Sequence, residues 1–194
     1  MNSFFRFLLF INLIFASELK INSKMPGGNL DLLNIDGKKL SLNDIKGDKG
    51  TLVIFSSNTC PWVIRWEDRY VKIANKYIDE GIRLIAINSN SARFNESESL
   101  EEMKQHSNKK NYNFPYVQDK DSRLAKLFGA TKTPHIYLFN SNDLLVYRGA
   151  IDDNAKNSKK VDEPYLSNAL DQMLNGEEIT KPISKAMGCS IKFK

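Results

Sequence analysis

Two apolar runs set the frame of this chain. Thr51, Leu52, Val53, Ile54 and Phe55 make the first, and residues 82–87, apolar but for Arg83, make the second. Runs of this kind suit strands buried on both faces of a sheet. Between them Val63, Ile64, Val71, Ala74, Tyr77 and Ile78 recur at roughly helical spacing, which predicts a helix over 61–77. Gly81 stands just past its end, as a helix C-terminus prefers. Strand, helix and strand in this order predict a right-handed parallel crossover.

The flanking segments are shorter. Leu30, Leu32, Leu33 and Ile35 lead into Asp36-Gly37, a hairpin turn signal, and Leu40 and Leu42 follow. Ser99 with Glu102 offers a capping box for a helix to about residue 110. Residues 114–117 read as a short extended piece, and Asp121-Ser122 starts a helix ending at Phe128-Gly129. Thr133-Pro134 precedes a strand over 135–139, and the turn at 141–143 sends 144–147 back as an antiparallel partner. Residues 149–161 are polar and predict a surface loop. Pro164 starts a last helix with Leu166, Ala169, Leu170, Met173 and Leu174 on one face. Residues 18–29 show no periodicity and read as a linker, and 179–194 read as a tail. The expected organisation is therefore one domain over 30–178 with appendages on both sides.

Composition fits a globular protein, at 41% hydrophobic and 26% charged residues over 194. The net charge of +5 comes from lysines spread among acids, with no basic block interleaved with aromatics, so nucleic acid is not an expected partner. The first residues read as a targeting segment. Arg6 supplies a positive charge, residues 7–15 an apolar core, and Ala16-Ser17 a small-residue cleavage site. The apolar core is short for a membrane span. Cleavage after residue 17 is expected, with an uncleaved anchor helix as the rival. Export, to a periplasm or outside the cell, would place Cys60 and Cys189 where a disulfide persists. No metal or cofactor is expected, because His106 and His135 are isolated and no glycine-rich phosphate loop occurs.

The chemistry concentrates where the first strand ends. Asn58-Thr59-Cys60-Pro61-Trp62 places a cysteine at a helix start with proline at the first helical position, where a missing N–H costs nothing. Free backbone N–H groups and the helix dipole stabilise a thiolate there. The plainer reading is a small buried residue at a strand end.

A βαβ unit joined to a terminal β-hairpin, with helices on both faces of a mixed sheet, resembles the thioredoxin fold. Asn58 to Val63 resembles the redox loop of that superfamily, and Thr133-Pro134 resembles its cis-proline, which faces the redox cysteine. The blocks Glu67-Asp68-Arg69, Asn88-Ser89-Asn90, Tyr147-Arg148-Gly149 and Gly188-Cys189-Ser190 extend the match over most of the chain. They are similar to a peroxiredoxin-like (redoxin, AhpC/TSA-type) branch.

The departures bear on mechanism. Val63 replaces the second cysteine of C-x-x-C, so no local thiol resolves a mixed disulfide. The peroxidase pattern P-x-x-x-T-x-x-C meets Ser56, Cys60 and Val63 in one register, and Val53 and Ser57 before Cys60 in the other. Thr59 stands where relatives often carry histidine, and Ile54 where thioredoxins bury an acid, so no general base is evident. The resemblance implies a thiol–disulfide oxidoreductase of monothiol type acting on protein or small-molecule thiols and disulfides, with Cys60 as nucleophile. Cys189 is either its distant resolving thiol or a packed residue. Bridging the two would stabilise the fold by roughly 4–5 kcal/mol on the chain-entropy account. Trp62 would shield the sulfur or simply pack, and Arg148 with Asp152 and Asp153 would form an ion-paired loop beside the site or a solvated network. The alternatives are a thiol-dependent peroxidase and a non-catalytic binding module using the cleft at Trp62 and Pro134.

Overall fold

The computed structural model describes residues 17–194, so the targeting segment, but for Ser17, lies outside the described residues. The first described elements are a hairpin of β1 (Leu32–Asn34) and β2 (Lys39–Leu40), turned at Gly37, whose φ of 83° suits glycine. Next come β3 (Gly50–Ser56), α1 (Pro61–Trp66), α2 (Asp68–Tyr77) and β4 (Ile82–Asn88). The middle holds α3 (Leu100–Lys109), β5 (Tyr116–Gln118) and α4 (Arg123–Phe128). The last third holds β6 (Lys132–Thr133), β7 (His135–Asn140), β8 (Leu145–Gly149), α5 (Tyr165–Leu174) and β9 (Cys189–Ser190).

Among the described residues one seven-stranded sheet runs in the order β2-β1-β5-β4-β3-β7-β8. β3 pairs parallel with β4 and antiparallel with β7, so the sheet is mixed. All seven residues of β3 are buried, which is why its sequence shows no polar alternation. Its side chains still divide by period two. Leu52 and Ile54 enter a core with Val63, Trp66 and Tyr70 of the helices after β3 and Leu166 and Leu170 of α5. Val53 and Phe55 enter a second core with Leu124 and Phe128 of α4 and Tyr137 and Phe139 of β7. Each such large side chain contributes about 1.5–3 kcal/mol on burial. The two cores clamp β3, and its carboxyl end is thereby a fixed platform for the loop that follows.

Three readings of the sequence change. The helix expected over 61–77 divides at Glu67, where the N–H of Tyr70 bonds the Glu67 carbonyl at 3.0 Å, a three-residue step. Glu67 is buried there against His106, Lys110 and Tyr112. Residues 18–29 are not a free linker, because Leu19, Ile21 and Met25 pack on the second core. Their backbone bonds Phe128, Asp143 and Leu145. The polar loop after β8 buries its first part, since Asp152 takes hydrogen bonds from Trp66 at 2.8 Å and Arg69 at 2.6 Å.

Candidate active site

Cys60 is the N-cap of α1, with extended backbone (φ −79°, ψ 120°), and Pro61 occupies the first helical position. The side chain is only 4% exposed. Its position is fixed by the preceding turn, in which the Ser57 hydroxyl oxygen accepts the N–H groups of Thr59 and Cys60, both at 3.2 Å. The Thr133–Pro134 peptide bond is cis, and the Cys60 thiol donates to the Thr133 carbonyl at 3.1 Å. The loop after β3 and the strand before the proline thus meet at the sulfur.

The tail completes the arrangement. β9 pairs antiparallel with β6, with Cys189 opposite Thr133 and Ser190 opposite Lys132. Gly188 permits this approach, because a Cβ there would stand 2.1 Å from the Thr133 carbonyl oxygen. Cys189 and Cys60 thereby face one cavity, and both thiols are free. Val63, the residue in the place of a second local cysteine, is buried in the core.

The two thiols differ in acidity. Burial alone would push the Cys60 thiol up. Hydrogen bonds from the Cys189 thiol and the Thr133 hydroxyl, with the N–H groups of Val63 and Cys189 facing the sulfur, outweigh that and hold it below the usual thiol range. Cys189 moves the other way, raised by burial and by its hydrogen bond and charge interaction with Cys60. The first proton therefore leaves Cys60.

Cys60 and Cys189 line one cavity of about 190 Å³, together with Ser57, Thr59, Glu98 and Thr133. A larger hollow of about 550 Å³, bordered by Lys49, Asn140 and Leu174, contains no thiol. Glu98 escaped sequence reasoning. It is fully buried and accepts from Ser57 Oγ at 2.5 Å, Thr59 Oγ1 at 2.6 Å, Asn88 Nδ2 at 2.6 Å and the Asn58 N–H at 3.1 Å. A buried carboxylate is retained only where such donors surround it. Thr59, in the place of histidine, serves Glu98, and Asn58 also bonds the Ser97 carbonyl at 2.6 Å.

The other expected residues stand further back. Trp62 is half-buried against Trp66, with ring centroids 5.8 Å apart, and carries Arg65 over its face. Its backbone N–H faces the Cys189 sulfur. Arg148 does not pair with Asp152 or Asp153. Its guanidinium meets Glu18, its backbone bonds Pro182 and Ser184 of the tail, and Asp152 belongs to Arg69. His135, next to the cis-proline, is fully buried and its burial lowers its pKa to about 4, so the ring is neutral near pH 7.

Comparison with known proteins bears on the family and the fold. The AhpC/TSA family model matches residues 21–149. The thiol–disulfide oxidoreductase ResA of Bacillus subtilis is 25% identical over 140 residues, 70% of this chain and 71% of that protein. A crystal structure of an uncharacterized conserved protein from Geobacillus kaustophilus is 34% identical with a TM-score of 0.83, covering 90% of this chain and 93% of that one. A hypothetical protein from Sinorhizobium meliloti is 31% identical with the same TM-score, covering 92% and 97%. The chain belongs to the AhpC/TSA family, has a thioredoxin-like redoxin fold, and is homologous to thiol–disulfide oxidoreductases.

Proposed function

We propose that this protein is an exported thiol–disulfide oxidoreductase in which Cys60 attacks and Cys189 resolves. The observation that carries the reading is the β6–β9 ladder, which sets Cys189 opposite Thr133 while Cys60 bonds the Thr133 carbonyl. The Cys60 thiolate attacks one sulfur of a partner disulfide and expels the other as a thiolate, leaving a mixed disulfide. That step removes the negative charge that raises the Cys189 pKa, so Cys189 becomes more acidic when its turn comes. Cys189 then loses its proton, attacks the Cys60 sulfur and releases the second partner thiolate. Two electrons pass to the partner, and a Cys60–Cys189 disulfide remains. Run backwards, the same steps oxidise a partner dithiol.

Export rests on Arg6, the apolar residues 7–15 and Ala16-Ser17. No helix among the described residues is long and apolar enough to cross a membrane. Fractionation of expressing cells, with mass measurement of the mature amino terminus, tests both export and cleavage.

The exchange reading is tested by alkylating the protein before and after a disulfide challenge, then locating the modified cysteines by mass spectrometry. The expected result is two alkylated thiols in the reduced protein, and a Cys60–Cys189 disulfide that appears with the challenge and returns to thiols with reductant. Two thiols that remain alkylatable after the challenge would overturn it. A Cys60→Ser variant with full cellular activity would favour the binding-module alternative.

The match to the AhpC/TSA family favours one second reading, a thiol-dependent peroxidase. There the Cys60 thiolate takes the terminal oxygen of a peroxide, becomes a sulfenic acid and releases an alcohol or water. Cys189 condenses with it, expelling water. A sulfenic acid trapped on Cys60 of the Cys189→Ser variant, formed faster with peroxide than a disulfide challenge forms its mixed disulfide, would establish this reading over the first.

A further inference from the structure

The cavity that holds the two thiols has an unbalanced rim. After β9 the chain bonds the turn beyond β4. The Lys192 N–H donates to Asn90 Oδ1 at 2.9 Å, the Ala92 N–H to the Lys192 carbonyl at 3.1 Å, and the Lys194 N–H to Ser91 Oγ at 3.2 Å. These bonds bring the exposed side chains of Arg93 and Lys192, from distant parts of the sequence, onto the same cavity. Neither forms an ion pair among the described residues, and the Lys192 charge acts on the Cys189 sulfur. The acid of the cavity, Glu98, is turned inward and occupied by the donors of Ser57, Asn58, Thr59 and Asn88. Two cations therefore face an incoming molecule at the place where its sulfur must meet Cys60.

We infer that the cavity between Cys60, Arg93 and Lys192 takes a small disulfide or thiol that carries a carboxylate a few bonds from its sulfur. The inference rests on the disulfide exchange proposed above and names its substrate class. At about 190 Å³ the space is below the roughly 300–1,000 Å³ of drug-sized sites, which fits one short arm of such a molecule. Arginine offers a carboxylate a planar two-pronged donor and lysine a point charge, and both attract it during approach. In the reaction Cys60 displaces one carboxylate-bearing thiolate, Cys189 gives up its proton and displaces the second, and the substrate disulfide gains the two electrons that the protein dithiol loses.

The test uses three short disulfides that differ in charge: dithiodipropionate, hydroxyethyl disulfide and cystamine. Each is mixed with the fully reduced full-length protein, and thiol release is followed through a single turnover. Each rate is divided by that of the same disulfide with a free small thiol, which removes intrinsic reactivity. The normalised rate is expected to be roughly tenfold higher for dithiodipropionate than for hydroxyethyl disulfide at low salt, and lowest for cystamine. The spread is expected to shrink as salt rises. Arg93→Gln combined with Lys192→Gln is expected to bring the three normalised rates together. Should that variant fold poorly, the single Arg93→Gln variant and the salt dependence of the unmodified protein decide the same question. Equal normalised rates for the anionic and neutral disulfides, or a spread untouched by salt and substitution, would overturn the carboxylate preference while leaving exchange intact. No reaction with any of the three would overturn the exchange reading and this inference with it.

Discussion

Cys189 stands opposite Thr133 across the ladder of β6 and β9, and Cys60 bonds the Thr133 carbonyl, so that pairing brings both cysteines to one cavity. A C-x-x-C loop would keep both sulfurs on one helical turn. Here Val63 fills that turn and is absorbed into the core, while the tail returns to the site along the strand before the cis-proline. The second thiol is thus held by tertiary structure: the two-residue ladder, Ile191 buried in the second core, and the bonds of Lys192 to the turn beyond β4.

Gly188 is the weak point of that ladder. Adding a methyl group would bring a carbon to 2.1 Å from the Thr133 carbonyl oxygen and 2.6 Å from its carbon, both backbone atoms that cannot step aside. Gly188→Ala is expected to push β9 off β6. Closure of the Cys60–Cys189 disulfide should slow on the order of a hundredfold, the scale of an ångström-sized misplacement of reacting groups. Stopped-flow thiol release measures it, with single alkylation of Cys60 as the companion assay. Closure at the unmodified rate would show that the ladder does not position Cys189.

The acidity of Cys60 depends on its neighbours rather than on exposure. Its thiolate accepts from the Cys189 thiol and the Thr133 hydroxyl against an opposing burial effect. Removing a donor to the charged form raises a pKa. Cys189→Ala should therefore move the inflection of the Cys60 alkylation rate to higher pH, toward the ordinary thiol value of 9.0. A pH series with iodoacetamide reads the shift directly. An inflection that stays in place would remove Cys189 from the account of thiolate stability.

The central fold was legible because its signals are local. β3 and β4 are continuous apolar runs, Gly81 and Gly129 end helical segments with φ of 84° and 66°, and Pro134 follows the expected threonine. The candidate site was legible only on the β3–α1 side. Glu98 sits among Glu96, Glu101 and Glu102, and no periodicity separates the one acid that turns inward from those that stay in water. Arg148 lies close in sequence to Asp152, yet the chain between them turns so that Asp152 serves Arg69 and Arg148 meets Glu18. Cys189 lies in a tail without periodicity, and a two-residue strand has no pattern to read. Long-range pairings of single polar residues are set by topology, which the sequence specifies only through the whole fold.

Glu98 is expected to be the costliest polar residue of the site to remove. Glu98→Ala would leave the buried donors of Asn88 and Ser57 and the Asn58 N–H without their acceptor. Unsatisfied buried groups cost about 1–3 kcal/mol each, and partial relaxation of an exposed loop end such as Thr59 would recover some of it. A net loss of about 2–4 kcal/mol in urea unfolding is expected, with slower Cys60 alkylation because Ser57 no longer fixes the turn. Near-native stability would mean that these donors find water instead.

His135 should govern part of the acid sensitivity. The ring is fully buried beside Tyr137, with Glu18 3.9 Å from Nε2 and Arg148 beyond it, and desolvation places its folded pKa at about 4 against 6.5 in the ordinary state. Between those values the unfolded chain binds a proton that the folded protein refuses. Stability contributed by the neutral ring is therefore whole above pH 6.5 and is lost as the pH falls toward 4, by up to roughly 3 kcal/mol. Glu18 opposes the loss to the extent that its carboxylate can approach the charged ring. Unfolding free energies of the unmodified protein and His135→Gln, measured across that window, isolate the contribution. The slope against pH should be shallower in the variant whatever its absolute stability, because glutamine carries no proton to titrate. Parallel slopes would place the acid sensitivity elsewhere.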